Sequence, residues 1–99
     1  NLFVETQGGE IENMYRIQLV NMDTQPHDFD LTIDGIDEAE IIGDASYALG
    51  AGEVRSITLR VRAQPQYLDA RGTEITFEAI SSDMPSLRIS ADSRFLRPL

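Results

Sequence analysis

The sequence predicts an all-β domain: an antiparallel β-sandwich of about seven strands. Three observations carry this. Apolar residues recur at every second position over most of the chain, as in Tyr15, Ile17, Leu19 and again in Ile57, Leu59, Val61. Side chains alternate between the two faces of a strand, so such runs bury one face and wet the other. No segment carries apolar residues at helical spacing. Clusters of Gly, Pro, Asp and Ser separate the runs, as turns between short strands require.

Taken in order, Leu2, Phe3 and Val4 read as a first edge strand, and Gln7 to Glu10 as a turn around paired glycines. Ile11 to Asn21 is a long strand with Arg16 and Gln18 on its wet face. Met22 to His27 connects it to the next strand, with Pro26, which cannot donate to a ladder, in the loop or at the strand edge. Asp28 to Ile33 follows, with Phe29, Leu31 and Ile33 inward and Asp28, Asp30 and Thr32 outward. These two runs are expected to be neighbouring antiparallel strands, the central pair of the domain. Asp34 to Glu38 is an acidic turn, and Ala39 to Ile42 a short strand. Ala45 to Leu49 alternates with Tyr47 and Leu49 on one side. Gly50 to Glu53 is a turn into Val54–Ala63, whose Ser56, Thr58, Arg60 and Arg62 face water. Gln64 to Arg71 is irregular around Pro65, with Tyr67 and Leu68 expected to cover one end of the core. A strand from Gly72 points Ile75, Phe77 and Ala79 inward. Ser81 to Ser86 turns the chain into Leu87–Phe95, with Leu87, Ile89 and Ala91 inward, and Arg97 to Leu99 form a tail.

This layout is immunoglobulin-like or fibronectin-like. The Cys…Trp…Cys pattern of antibody domains is missing, since the chain has neither residue. Ninety-nine residues make one domain, residues 1–99, which buries about two-thirds of its unfolded surface. With no cysteine there is no disulfide, thiolate zinc site or iron–sulfur cluster in this sequence. The net charge is −9, with seventeen acids against eight bases, all arginine. Such a surface repels phosphate backbones and anionic lipid, so no nucleic-acid partner is expected. No apolar run approaches the roughly twenty residues of a membrane span, and no signal peptide is present. The chain starts at Asn1 without methionine and reads as a piece of a larger protein, with room for a membrane segment upstream.

Residues able to do chemistry are few. His27 is the single histidine. A nucleophilic system would have to be built on it, yet no serine sits in a G-x-S-x-G context. Beside Pro26 it reads as a turn residue whose ring bonds nearby backbone. Asp34, Asp37, Glu38 and Glu40 cluster in one turn, as calcium ligands do, but Asp28-x-Asp30-x-Thr32 continues into Ile33 where an EF-hand needs glycine. Thioether and imidazole suit copper, especially Cu(I), which singles out Met14, Met22 and His27. Met14 and Met22 lie about 26 Å apart along a straight strand, so at most Met22 and His27 could share an ion. No catalytic residue is assigned, and the chain is not expected to be an enzyme. Arg55, Arg60 and Arg62 read as a solvated strand face rather than a basic patch.

Four stretches carry a resemblance. They are Ile11-Glu12-Asn13-Met14-Tyr15, Asn21-Met22-Asp23-Thr24-Gln25-Pro26-His27, Gly50-Ala51-Gly52-Glu53-Val54 and Asp92-Ser93-Arg94-Phe95-Leu96. Together they resemble the C-terminal immunoglobulin-like domain of the FixG/CcoG family, through Glu12, Asn13, Tyr15, Gln25, Pro26, His27, Gly52, Glu53, Arg94 and Phe95. The family usually shows Pro-Ala-Gly-Glu where this chain has Gly50-Ala51-Gly52-Glu53. The resemblance implies a membrane-anchored polyferredoxin that assists assembly of the cbb-type haem–copper oxidase, with a proposed role in reducing copper. Its cluster-binding cysteines and membrane helices are not in this sequence, so iron–sulfur clusters belong to the rest of such a protein. The domain is then expected on the periplasmic face of the inner membrane, non-catalytic, meeting an oxidase subunit or copper-delivery protein, with membrane contact only through parent segments.

Two other readings remain at this point. One is a weak copper-binding module at Met22 and His27. The other is a generic sandwich module of a secreted adhesin or carbohydrate-active enzyme. Against the latter, Tyr15, Tyr47, Phe29 and Phe77 fall on apolar parities, leaving few aromatics to stack on sugar.

Overall fold

The computed structural model describes residues 3–98. Leu2 of the expected first strand and Leu99 of the tail lie outside the described residues. The strands are β1 (Phe3–Glu5), β2 (Ile11–Val20), β3 (His27–Asp34), β4 (Glu40–Ile42), β5 (Ser46–Leu49), β6 (Val54–Ala63), β7 (Thr73–Ser81) and β8 (Arg88–Phe95). They form two four-stranded sheets, ordered β1-β2-β6-β4 and β5-β3-β7-β8. Every pairing is antiparallel. The result is an immunoglobulin-like sandwich.

The expected side-by-side pairing of the two long N-terminal runs is not what forms. β2 pairs with β6 over its whole length, from Ile11↔Ala63 to Val20↔Val54. β3 pairs with β7 and β5 in the other sheet. Both strands are interior, but they lie in different layers. Alternation records which face is buried, and two strands can share that burial edge to edge or face to face. The segment between them crosses from one layer to the other as an arch rather than closing a hairpin.

The inward parities meet in one core. Ile11, Leu19, Ile57, Leu59, Val61 and Ala63 of the first sheet cluster with Phe29, Leu31, Leu49, Ile75, Phe77, Ala79 and Phe95 of the second. Each larger side chain so buried contributes roughly 1.5–3 kcal/mol relative to exposure. Tyr15 packs against the cluster and meets Phe77 edge to face, with ring centroids 5.0 Å apart. Leu68 covers part of the core, as expected. Tyr67 does not: it ends a single 3-10 turn (Pro65–Tyr67) at the surface, where its hydroxyl donates to Glu38 Oε2 at 3.2 Å. Ala91 has inward parity but is exposed, because β8 is the last strand of its sheet and, among the described residues, has no strand on its outer side.

The turn after β3 runs against β7. Gly35 adopts φ 115°, and a Cβ there would sit 2.5 Å from the carbonyl oxygen of Glu74. Only glycine combines that conformation with that approach. The contact pins the acidic turn to the second sheet.

Candidate functional site

The four sequence stretches singled out above gather into two groups, one at each end of the sandwich. At the first end, Asn13 on β2 faces the residue that follows β8. Its Nδ2 donates to the Leu96 carbonyl and its Oδ1 accepts the Leu96 N–H, each at 2.8 Å. Tyr15, two residues on, donates its hydroxyl to the carbonyl of Arg94 at 2.8 Å. Burial pushes the Tyr15 phenol far above its ordinary pKa of 10.0, so it stays a donor. Phe95 between these contacts is 1% exposed. The Ile-Glu-Asn-x-Tyr and Arg-Phe stretches are thus two halves of one clamp that ties the C-terminal strand to the opposite sheet. Glu12 faces out and accepts from Arg62 at 2.9 Å, with Arg60 at 3.6 Å. Arg55 pairs with Glu53 at 2.8 Å, so the three arginines of β6 each sit against a carboxylate.

At the other end, the arch between β2 and β3 docks on the Gly50–Glu53 turn. Asn21, fully buried, directs Nδ2 at the carbonyls of Gln25 (2.8 Å), Gly50 (3.0 Å) and Leu49 (3.3 Å). Its backbone N–H reaches Glu53 O at 2.9 Å, and Gly52 N–H reaches Asp23 O at 3.2 Å. Glu53 closes its own turn by accepting the Gly50 N–H at 2.8 Å, which with Arg55 holds its carboxyl below the usual range.

His27 sits beside this arch. It is the first residue of β3, with a side chain 4% exposed. The ring does not bond backbone, as a turn residue would; it lies between two carboxylates. Nε2 is 2.6 Å from Asp23 Oδ2, and Nδ1 is 3.0 Å and 3.1 Å from the two oxygens of Asp83. A neutral imidazole donates from one nitrogen only, so two anionic acceptors select the imidazolium. The hydrogen bond to Asp23, then that to Asp83, raise the His27 pKa above its ordinary 6.5. The bond to His27 lowers Asp23, and those to Ser81 and His27 lower Asp83. The three side chains clasp the β2–β3 arch to the β7–β8 turn.

This arrangement has the membership of a Ser-His-Asp system without its chemistry. Ser81 Oγ lies 3.4 Å from His27 Nδ1 but donates to Asp83 Oδ1 at 2.7 Å and accepts the Met84 N–H at 3.2 Å. It is 0% exposed, and an imidazolium has no lone pair to take its proton. For the same reason His27 offers no free nitrogen to copper while both carboxylates hold it. Met22 is 78% exposed and Met14 45% exposed, both on the surface. Among the described residues, no three of His, Asp or Glu come together in a way that would hold a metal ion, the acids of the 34–40 turn included. A shallow cleft of about 470 Å³ lies beside the clasp, lined by Pro26, His27, Asp28, Leu49, Gly50 and Asp83 among others. Asp23, Ser81 and Asp83 were not legible as partners of His27 from the sequence. The signal available was Asp23 four residues before it; Asp83, 56 residues away, had none.

The family described as "IG-like fold at C-terminal of FixG, putative oxidoreductase" matches residues 1–98. The crystal structure of a FixG-related protein from Vibrio parahaemolyticus superposes with a TM-score of 0.83 at 24% sequence identity, covering 99% of this chain and 93% of that one. At that identity the likeness speaks for the fold. No curated protein matches the chain.

Proposed function

Since the chain belongs to the family of immunoglobulin-like domains at the C-terminus of FixG, we propose that it serves as a non-catalytic interaction domain of a FixG-like iron–sulfur membrane protein. The redox chemistry lies in other parts of that protein. This domain stands on the periplasmic face of the inner membrane and receives an oxidase subunit or a copper-delivery protein during assembly of a cbb-type oxidase. One observation favours an architectural and docking role over chemistry. The residues that look most like functional ones, His27, Ser81, Asp23 and Asp83, satisfy one another inside the clasp. Among the other motif residues, Asn13 and Tyr15 bond the backbone of Leu96 and Arg94, and Glu53 accepts from Gly50 of its own turn. A fold held this firmly at both ends presents its outer faces and edges as a rigid platform.

The test is capture of membrane partners. The domain, immobilised, is incubated with detergent-solubilised membranes, and retained proteins are identified by mass spectrometry. Retention of oxidase or copper-delivery subunits supports the reading. Retention of neither, by a domain shown folded by circular dichroism, overturns the docking role.

A further inference from the structure

We propose that β8 is a homotypic pairing edge, through which a second copy of this chain adds its own β8 antiparallel and extends the sheet across a two-fold axis. This goes beyond the proposed docking role and does not depend on it. The four sheet edges are unequal. β1 and β4 have three residues each and β5 has four, whereas β8 has eight. β8 is in continuous register with β7, from Thr73↔Phe95 to Ile80↔Arg88, and it holds no proline. Long regular edges without a bulge, proline or inward charge are templates for another strand. Apolar surface is also open there: a small slot between the sheets is lined by Ile17, Leu19, Phe77, Ile89 and Ala91 among others. Among the described residues, the stretch of β2 beyond Asn13 lacks a neighbour on the same side, but its one charge, Arg16, selects no register.

Backbone direction and charge together choose one register on β8. Ser81 N–H donates to Leu87 O at 3.0 Å, which turns Leu87 and every second residue after it toward β7. The backbone groups of Arg88, Ser90, Asp92 and Arg94 therefore point outward. Those near the C-terminal end are already used: Tyr15 caps Arg94 O, and Asn13 takes Leu96 N–H and C=O. Among the described residues, the backbone groups of Arg88, Ser90 and Asp92 are left open, while the Arg88 side chain reaches Glu78 at 3.4 Å and Asp92 accepts from Thr76 at 2.9 Å. A two-fold axis at Ser90 pairs these three, sets Arg88 opposite Asp92 of the second copy twice over, and brings Ile89 opposite Ala91 beside the slot. An axis at Ala91 would oppose Arg88 to Arg94, and one at Asp92 would oppose two aspartates. An axis at Ser93 would need the Arg94 carbonyl that Tyr15 holds. Opposite charges directly across a strand pair attract and like charges repel, so only the Ser90 axis satisfies both conditions.

The experiment uses the chain's lack of cysteine. Sedimentation equilibrium from about 10 μM to 1 mM measures association over the range of weak to moderate affinities. The expected result is a monomer–dimer equilibrium. Arg88→Asp or Asp92→Arg alone should weaken it about tenfold, and the two together should restore it. Ser90→Cys should cross-link to itself with a short bifunctional thiol reagent. Arg94→Cys should not, because its copies would lie about 26 Å apart. A monomer throughout, a dimer that Ser90→Cys does not trap, or a dimer indifferent to both single charge changes would overturn the proposal. Circular dichroism on each variant separates loss of pairing from loss of fold.

Discussion

Asn13 and Leu96 exchange two hydrogen bonds, carboxamide to backbone, across 83 residues of sequence. Asn13 is 4% exposed and Leu96 40%, so the pair is buried from the Asn13 side only. It performs for the end of β8 what a neighbouring strand would do, offering one donor and one acceptor in ladder fashion. Asn13→Ala leaves both Leu96 groups unsatisfied and is expected to lower stability by about 2–3 kcal/mol. Tyr15→Phe removes one bond and keeps the ring against Phe77, so its loss should be only about 1 kcal/mol. Urea denaturation of the two variants checks the ratio; equal losses would mean that the clamp works through packing rather than hydrogen bonds.

Asn21 sets the other end. Its amide faces three carbonyls and its Oδ1 accepts the Asp23 N–H at 3.0 Å. Asn21→Asp keeps the acceptor and replaces the donor with a carboxylate aimed at carbonyl oxygens in a buried site. The expected loss is about 3 kcal/mol or more, larger than for Asn21→Ala, because a buried charge without a partner adds to the lost bonds. Thermal unfolding of the two variants at neutral pH tests the order. The difference should shrink in acid, where the aspartate is neutral.

The acidic turn after β3 is set by backbone rather than side chains. Gly35→Ala would place a methyl group 2.5 Å from Glu74 O at a φ of 115°. Strain of this kind is worth about 1–3 kcal/mol, and the clash adds to it. Gly43 also has positive φ, at 103°, but its Cβ position is open. Gly43→Ala should therefore be the milder change in a denaturant titration, by the share that belongs to the Glu74 contact.

The parts of this fold that could be read from sequence are those written in neighbouring residues. Strand positions follow from alternation, because burial of one face imposes period two, and Ile57-x-Leu59-x-Val61 lands in the core as read. Which strands pair is not written locally. The β2 and β3 patterns are satisfied by facing each other through the core, and nothing in Asn21–Pro26 distinguishes an arch from a hairpin until Asn21 is seen to anchor it on Gly50. The site follows the same rule. His27 stood out by being the only one of its kind, while Asp83 reached it through the β7–β8 turn. Tyr15 and Arg94 were each noticed, but their meeting depends on the two sheets packing at one end. Ala91 failed as an inward residue because parity says nothing of whether a sheet continues beyond its last strand.

The His27 clasp makes stability depend on pH from both sides. The His27 pKa is raised on folding, so its contribution is complete below the unfolded value near 6.5 and is lost as pH rises through the folded value. Asp23 and Asp83 are lowered, so their contributions are present above the unfolded value near 3.8 and disappear as pH falls through the folded ones. The clasp should therefore be strongest between these limits, in mildly acidic solution, and weaken toward alkaline pH. His27 is the single histidine, so its ring resonances in a proton NMR titration report this one site. The expected midpoint lies above 6.5 in the folded chain, moves down toward the ordinary value in Asp23→Asn, and moves down again when Asp83→Asn is added. His27→Gln should flatten the alkaline limb of the stability profile, because no group at that position then titrates. A midpoint at or below 6.5 in the unaltered protein would mean that the ring is neutral at physiological pH and that one of the two carboxylate contacts is absent in solution. In that case a nitrogen of His27 would be free for copper, and a Cu(I) titration of the unaltered protein against His27→Ala would show a difference that the closed clasp forbids.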